Sequence, residues 1–280
     1  ENMPKAHWAY IQVILGPRQV GKTTGIQQFL KARVKENDLY ISADGQVARH
    51  SSWLEQQWLE LTSRSSEGLL IIDEIQKVEN WPEIVKKLWD AQKQNKQKIR
   101  LVLLGSSSLE IQKGLSESLT GRFKLHKVHQ WNLSESHEAY GLNQEEFLLY
   151  GGYPGSYAFR NNRAQWLSYI KESIVETVIG HDILKIARVK SPALFRQSFD
   201  LACSYGGQEI SYTKLLGQLQ EKGNVELVKH YLELFEGAFL LKQLPKFSAK
   251  KVLTRASSPK ILPLCPALYS MTLDADLDSQ

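Results

Sequence analysis

Residues 16 to 23 read Gly-Pro-Arg-Gln-Val-Gly-Lys-Thr and follow directly on the apolar run Tyr10-Ile-Gln-Val-Ile-Leu15. The octet fills every fixed position of the G-x-x-x-x-G-K-[ST] phosphate loop. A buried strand, a glycine-bearing turn and a helix opening near Gly21 would aim backbone N–H groups and a positive dipole end at one point. In that arrangement Gly16, Pro17, Arg18, Gln19, Val20 and Gly21 wrap a polyphosphate. Lys22 then reaches the β- and γ-phosphates, and the Thr23 hydroxyl holds Mg²⁺. A chance glycine-rich turn would lack this strand–loop–helix context. The chain is read as binding a nucleoside triphosphate.

A phosphate loop alone hydrolyses nothing. About fifty residues on, Gly68-Leu-Leu-Ile-Ile-Asp73-Glu74 is an aliphatic run ending in two carboxylates. Such a run suits a strand buried on both faces. Its end would set Asp73 beside the metal held by Thr23, and Glu74 beside the attacking water as its orienting or general base. The next strand, Arg100-Leu-Val-Leu-Leu-Gly105, runs into Ser106-Ser107-Ser108. Either Ser106 or Ser107 is placed to sense the γ-phosphate, and one of the three serines caps a helix beginning near Leu109. Arg122 precedes the last core strand, around Phe123 to Val128. It either reaches a neighbouring subunit's γ-phosphate or is a surface arginine that caps a helix or pairs with Glu117. Asn95-Lys-Gln-Lys98 comes near a guanine-specifying N-K-x-D signal, but Lys98 stands where the aspartate belongs. ATP is therefore the expected nucleotide.

Together these motifs resemble the AAA+ superfamily, and more narrowly a prokaryotic group in which an ATPase core precedes a winged-helix segment and often a nuclease-like one. The residues that carry the resemblance are Gly16 to Thr24, Asp73-Glu-Ile-Gln-Lys-Val-Glu-Asn-Trp81, Leu104-Gly-Ser-Ser-Ser108, Ser118-Leu-Thr-Gly-Arg-Phe123 and Gly151-Gly-Tyr-Pro-Gly155. The resemblance implies that Thr24 joins the nucleotide-binding residues and that Arg122 is an arginine finger. It also implies that Pro154 lies against the adenine; read without it, Gly151 to Pro154 is a turn before a helix. Cys265-Pro266 departs from the pattern. The nuclease-like part is expected to be absent, through truncation or loss, and no nuclease activity is carried over.

The C-terminal half reads as helices. Gln144 to Tyr150 and a long amphipathic run from about Ala164 to Leu184 would form the lid, with His181-Asp182 a helix-surface pair. From Pro192 three helices are predicted: one ending at Gly206-Gly207, one capped by Ser211, and Val225 to Phe235 with Val228, Tyr231, Leu232 and Phe235 inward. A strand from Ala238 to Leu244 follows, giving a winged helix. Its third helix exposes Glu226, Lys229 and Glu233, which argues against base readout. The run from Lys242 to Lys260 (Lys242, Lys246, Lys250, Lys251, Arg255, Lys260) holds no acid and suits phosphate contact.

The expected class is α/β: an AAA+-type P-loop NTPase whose parallel sheet is flanked by helices, with a helical lid and a C-terminal winged helix. The boundaries are residues 1–133 for the core, 134–190 for the lid, 191–262 for the winged helix and 263–280 for a tail. Net charge of +5 permits DNA contact without requiring it. The longest aliphatic stretches are too short to span a bilayer. Cys203 and Cys265 have neither metal-ligand spacing nor a disulfide framework, which suits the cytoplasm. The expected activity is Mg²⁺-dependent ATP hydrolysis coupled to conformational change or assembly, with a homo-oligomer formed through Arg122. Its alternatives are a slow nucleotide switch and a DNA-binding regulator.

Overall fold

The structure is a computed structural model that describes residues 9–33, 37–45, 48, 50–106, 108–184, 187, 189–219, 223–247 and 258–273. The chain divides into two compact units, Glu1–Gly16 with Gly21–Val128, and Pro17–Val20 with His129–Gln280.

The first unit is built on five parallel strands: β1 (Ile11–Leu15), β2 (Asp38–Ser42), β3 (Glu67–Asp73), β4 (Lys98–Gly105) and β5 (Phe123–Lys127), in the order β2-β3-β4-β1-β5. Thus β4 stands between the strand that carries the phosphate loop and the strand that ends in Asp73, with Gln12 opposite Val102 and Ile71 opposite Val102 on its two sides. Helices on both faces explain why Leu69, Leu70, Ile71 and Ile72 are all fully buried. On one face α1 (Lys22–Arg33) lays Ile26 and Leu30, with Ile14 and Tyr40, over Leu69, Ile71, Val102 and Leu104. Further core residues come from α2 (Ser51–Arg64), α3 (Trp81–Gln94) and α4 (Ser108–Ser118), among them Leu54, Trp58, Leu61, Trp81, Val85, Trp89, Ile111 and Leu115. The edge strand β2 was not foreseeable as an apolar run, because Asp38-Leu-Tyr-Ile-Ser42 is short and only Ile41 is buried.

The second unit is helical, and its local signals are strong. In α5 (Leu133–Tyr140) and α6 (Gln144–Tyr150), Asn132 with Glu135 and Asn143 with Glu146 form reciprocal capping boxes. The run expected as one long α-helix starts as α7 (Arg163–Ser168) and continues in π-type turns over Tyr169–Val175 and Thr177–Ile183. Then come α8 (Pro192–Ser204), α9 (Tyr212–Gly217) and α10 (Val225–Gly237), capped by Ser191, Ser211 and Asn224. The Phe195 and Phe235 ring centroids lie 4.4 Å apart, and Tyr231 stands edge-on to Phe195 at 4.8 Å. The next strand, β6 (Leu241–Leu244), starts three residues later than expected, because Phe239 turns the chain at φ 60°. It pairs antiparallel with β7 (Lys260–Pro263), and Lys260 also bridges to Glu209. The segment expected as a tail instead forms α11 (Pro266–Leu273), which buries Ala267, Leu268, Ser270 and Met271 in this unit. Among the described residues no helix is long and apolar enough to cross a membrane.

The Gly151-Gly152 pair is a packing requirement. The Gly152 amide donates to the Cys265 sulfur at 3.0 Å, and its carbonyl accepts from Trp131 N at 2.9 Å. A Cβ at Gly152 would fall 2.0 Å from the Trp131 carbonyl oxygen. Gly152→Ala therefore forces backbone apart and is expected to cost about 1–3 kcal/mol. A thermal melt should show it as a fall in Tm of roughly 2–10 °C. Gly217→Ala, whose new methyl meets nothing within 4 Å, is the control and should leave Tm unchanged.

Candidate functional site

The phosphate loop joins β1 to α1. Gly21 takes φ 87°, a conformation that favours glycine, and its carbonyl accepts the first helical bond from Gly25 N at 2.8 Å. Gln19 is left-handed at φ 61° without being glycine, a local strain of the kind that gathers at ligand sites. No acidic residue occupies the first turn of α1. Lys22 donates to the Gly16 carbonyl at 3.0 Å, curling its ammonium back over the loop. Thr24 is exposed on the first turn.

Thr23 and Asp73, fifty residues apart in sequence, meet in a 2.6 Å hydrogen bond from Thr23 Oγ1 to Asp73 Oδ2. Asp73 is only 4% exposed, and its Oδ1 accepts from the Glu74 amide at 2.9 Å. Tyr40 on β2 donates to the same Oδ2 at 2.9 Å. Burial and then the Asp73 carboxylate push the Tyr40 pKa well above the ordinary phenol value, so the hydroxyl keeps its proton. A hydroxyl has one proton and two lone pairs. The Thr23 proton is committed to Asp73, which leaves its lone pairs for a hard cation. That donor chemistry fits Mg²⁺, which is commonly held by one or two protein oxygens together with substrate phosphates. Among the described residues no cluster of three or more His, Cys, Asp or Glu forms an all-protein cage.

Glu74 leaves β3 in the left-handed region at φ 54°. Its Oε2 accepts from Ser106 Oγ at 3.0 Å and from Gln76 Nε2 at 2.5 Å. Ser106 thus meets the carboxylate read as the base. Ser107 lies outside the described residues, and nothing is described of the Ser108 side chain. Sequence reasoning passed over Gln76, although it stands two positions after Glu74.

Arg122 forms a two-pronged ion pair with Asp90 of α3, Nε to Oδ1 and Nη2 to Oδ2, both at 2.9 Å. The hydrogen bond that Arg122 donates to the Asp90 carboxylate raises the Arg122 pKa further. Of the two expectations for Arg122, pairing within its own chain is observed, with Asp90 rather than Glu117 as the partner. In the Asn95-Lys-Gln-Lys98 stretch, residues 95–97 connect α3 to β4, and Lys98 opens β4 and is paired with Glu67 at 2.8 Å.

Pro17–Val20, the middle of the loop, belong to the second unit. Arg18 grips Asp182 through Nε–Oδ2 and Nη2–Oδ1 contacts, both 2.6 Å, and the Val20 carbonyl accepts from Trp131 Nε1 at 3.0 Å. For Asp182 this corrects the reading as one of a helix-surface pair, because it is 8% exposed and serves as the counter-ion of Arg18. Pro154 opens a 3₁₀ turn, Pro154–Phe159, behind the buried Tyr153. In the basic run, Lys242 is paired with Glu236, and Lys250, Lys251 and Arg255 lie outside the described residues. Glu226, Lys229 and Glu233 are exposed on α10, as expected.

A family model described as an AAA domain matches residues 9–148, and a second, described as a domain of unknown function, matches residues 142–278. An uncharacterised protein of Mycobacterium tuberculosis is 26% identical over 91% of this chain and 54% of its own length. One of Methanocaldococcus jannaschii is 24% identical over 86% of this chain and 57% of its own length. The chain therefore spans little more than half the length of these curated relatives. Among solved structures, a Walker-type ATPase of Pyrococcus abyssi aligns with a TM-score of 0.61 at 15% identity, covering 94% of this chain and 91% of that one. That likeness shows a shared fold.

Proposed function

The chain belongs to the AAA-domain family of P-loop ATPases, and from that premise we propose that it binds ATP with Mg²⁺ and hydrolyses it. The loop from Gly16 to Gly21, Lys22, Thr23 and Thr24 take the phosphates, and Pro154 takes the adenine. Thr23 and Asp73 hold the divalent ion, which supplies charge neutralisation at the β- and γ-phosphates. Glu74 orients and deprotonates the water, and Ser106 ties the γ-phosphate's occupancy to the Glu74 carboxylate. Arg122 serves a second copy of the chain. The observation that carries this reading is the 2.6 Å bond between Thr23 and Asp73, which brings the loop hydroxyl and the strand-end carboxylate together at the start of α1.

Calorimetry tests it. Titrating Mg²⁺-ATP into the protein should give saturable heat. Lys22→Ala should weaken affinity by about 10- to 100-fold, the scale of one hydrogen bond to a charged group. If the wild type gives no heat, or Lys22→Ala binds as tightly as wild type, the assignment fails.

One observation favours a second reading, a slow nucleotide switch. The groups that would meet the phosphates and water are engaged internally: Lys22 with Gly16, Arg18 with Asp182, Thr23 with Asp73, Glu74 with Ser106 and Gln76. Under that reading ATP binds with negligible turnover and the bound state fixes the helical unit's conformation. Steady-state turnover measured beside the calorimetry separates the two. The order α8, the Glu209 bridge, α9, α10 and the β6–β7 ribbon supports a winged helix in that unit.

A further inference from the structure

Tyr40 belongs to no motif of the chain, yet its hydroxyl ends on the carboxylate oxygen that also takes the Thr23 proton. Its ring packs with Ile26 and Leu30 of α1 on the cluster of Leu69, Ile71, Val102 and Leu104, so the phenol cannot swing away without opening that face. Two donors on Oδ2 and the Glu74 amide on Oδ1 together leave the Asp73 carboxylate one orientation. Of these three, only Tyr40 reaches Asp73 from a strand that carries none of the nucleotide-site motifs. Thr23 and Glu74 both have other tasks once nucleotide is bound.

We propose that Tyr40 is a positioning residue of the metal site, whose hydroxyl fixes the Asp73 carboxylate so that Thr23 presents its lone pairs to the divalent ion of an ion–nucleotide complex. The inference rests on the ATP and Mg²⁺ reading above and adds to it the residue that sets the metal's affinity. Outer-sphere hydrogen bonds of this kind change metal affinity by about 10- to 100-fold when removed. Tyr40 acts through Asp73 and does not touch the ion or the phosphates.

The test is Tyr40→Phe, which keeps the ring and its packing and removes only the hydroxyl. Mn²⁺ is the probe, titrated into protein with saturating ATP and followed by electron paramagnetic resonance of the free ion, so that the readout is independent of turnover. The expected result is Mn²⁺ affinity lowered about 10- to 100-fold, with metal-free ATP affinity within about twofold of wild type. Far-ultraviolet circular dichroism and Tm of the apoprotein should match wild type, because the apolar contacts remain. Unchanged Mn²⁺ affinity in Tyr40→Phe, with wild type binding normally, overturns the inference and spares the ATP reading. Equal loss of metal-free and metal-dependent ATP binding also overturns it, since that pattern marks a general packing role. Absence of metal-dependent ATP binding by the wild type overturns the ATP reading and this inference together.

Discussion

Glu74→Gln is expected to leave ATP bound and to lower turnover by about 10²- to 10⁴-fold, the range of a positioned general base. The expectation comes from geometry. Glu74 departs from the end of β3 in a left-handed conformation at φ 54°, an arrangement of order 1–3 kcal/mol above the ordinary wells for a residue with a side chain. A sequence free of functional constraint would place glycine or asparagine there. The strained turn sends the carboxylate away from the strand axis, where Ser106 and Gln76 both donate to Oε2. A glutamine at position 74 is isosteric but presents an amide, so it cannot take a proton from water. Its amide oxygen can still accept from Ser106 and Gln76 in the place of Oε2, so the local contacts survive while the basic oxygen is lost. Binding persists because Lys22, Thr23 and the loop amides are untouched. Single-turnover measurements with preloaded ATP isolate the chemical step from release. Undiminished turnover in Glu74→Gln would remove Glu74 from the mechanism.

What the sequence made legible is local. The phosphate loop, the aliphatic run into Asp73-Glu74 and the Arg100 to Gly105 strand each carry their meaning within eight or so neighbouring residues. The parallel sheet then places their ends together without further information. Of the helix caps at Asn132, Asn143, Ser191, Ser211 and Asn224, the sequence reading named only Ser211; the others carry a signal of the same local kind, since a cap and its amide lie three residues apart. What stayed hidden is set by distance along the chain. Arg18 and Asp182 are separated by 164 positions, and Arg122 and Asp90 by 32. No periodicity announces which carboxylate an arginine will find. Tyr40 escaped for another reason: β2 is an edge strand whose short, mixed pattern gives no apolar run, so neither the strand nor the direction of its tyrosine could be inferred. Gln76 was within reach, because its spacing from Glu74 is as local as any cap. It was passed over because an amide beside a carboxylate has many ordinary uses.

The second large effect expected is on Arg122. Arg122→Ala should lower turnover about 10³- to 10⁵-fold if the guanidinium completes a neighbour's site in the way of an arginine finger. The pair with Asp90 does not oppose this role. Its side chains are 31% and 45% exposed, so solvent and salt screen the attraction, and a γ-phosphate offers more negative charge in a drier place. Asp90 instead holds the guanidinium extended and ready, which lowers the ordering cost of delivering it to a partner. Asp90→Ala should accordingly leave turnover within a small factor of wild type, while Arg122→Ala removes it. A mixing experiment makes the trans character visible. Arg122→Ala subunits keep an intact phosphate site, and Lys22→Ala subunits keep an intact arginine, so each variant alone is nearly inactive. Mixed, they should recover turnover that rises with total protein concentration, because only heterologous contacts pair a whole site with a whole finger. Recovery absent at every ratio, with Arg122→Ala still inactive, would place Arg122 in its own subunit's machinery. Full and concentration-independent turnover of Arg122→Ala would leave the Asp90 pair as a structural bond between α3 and the approach to β5.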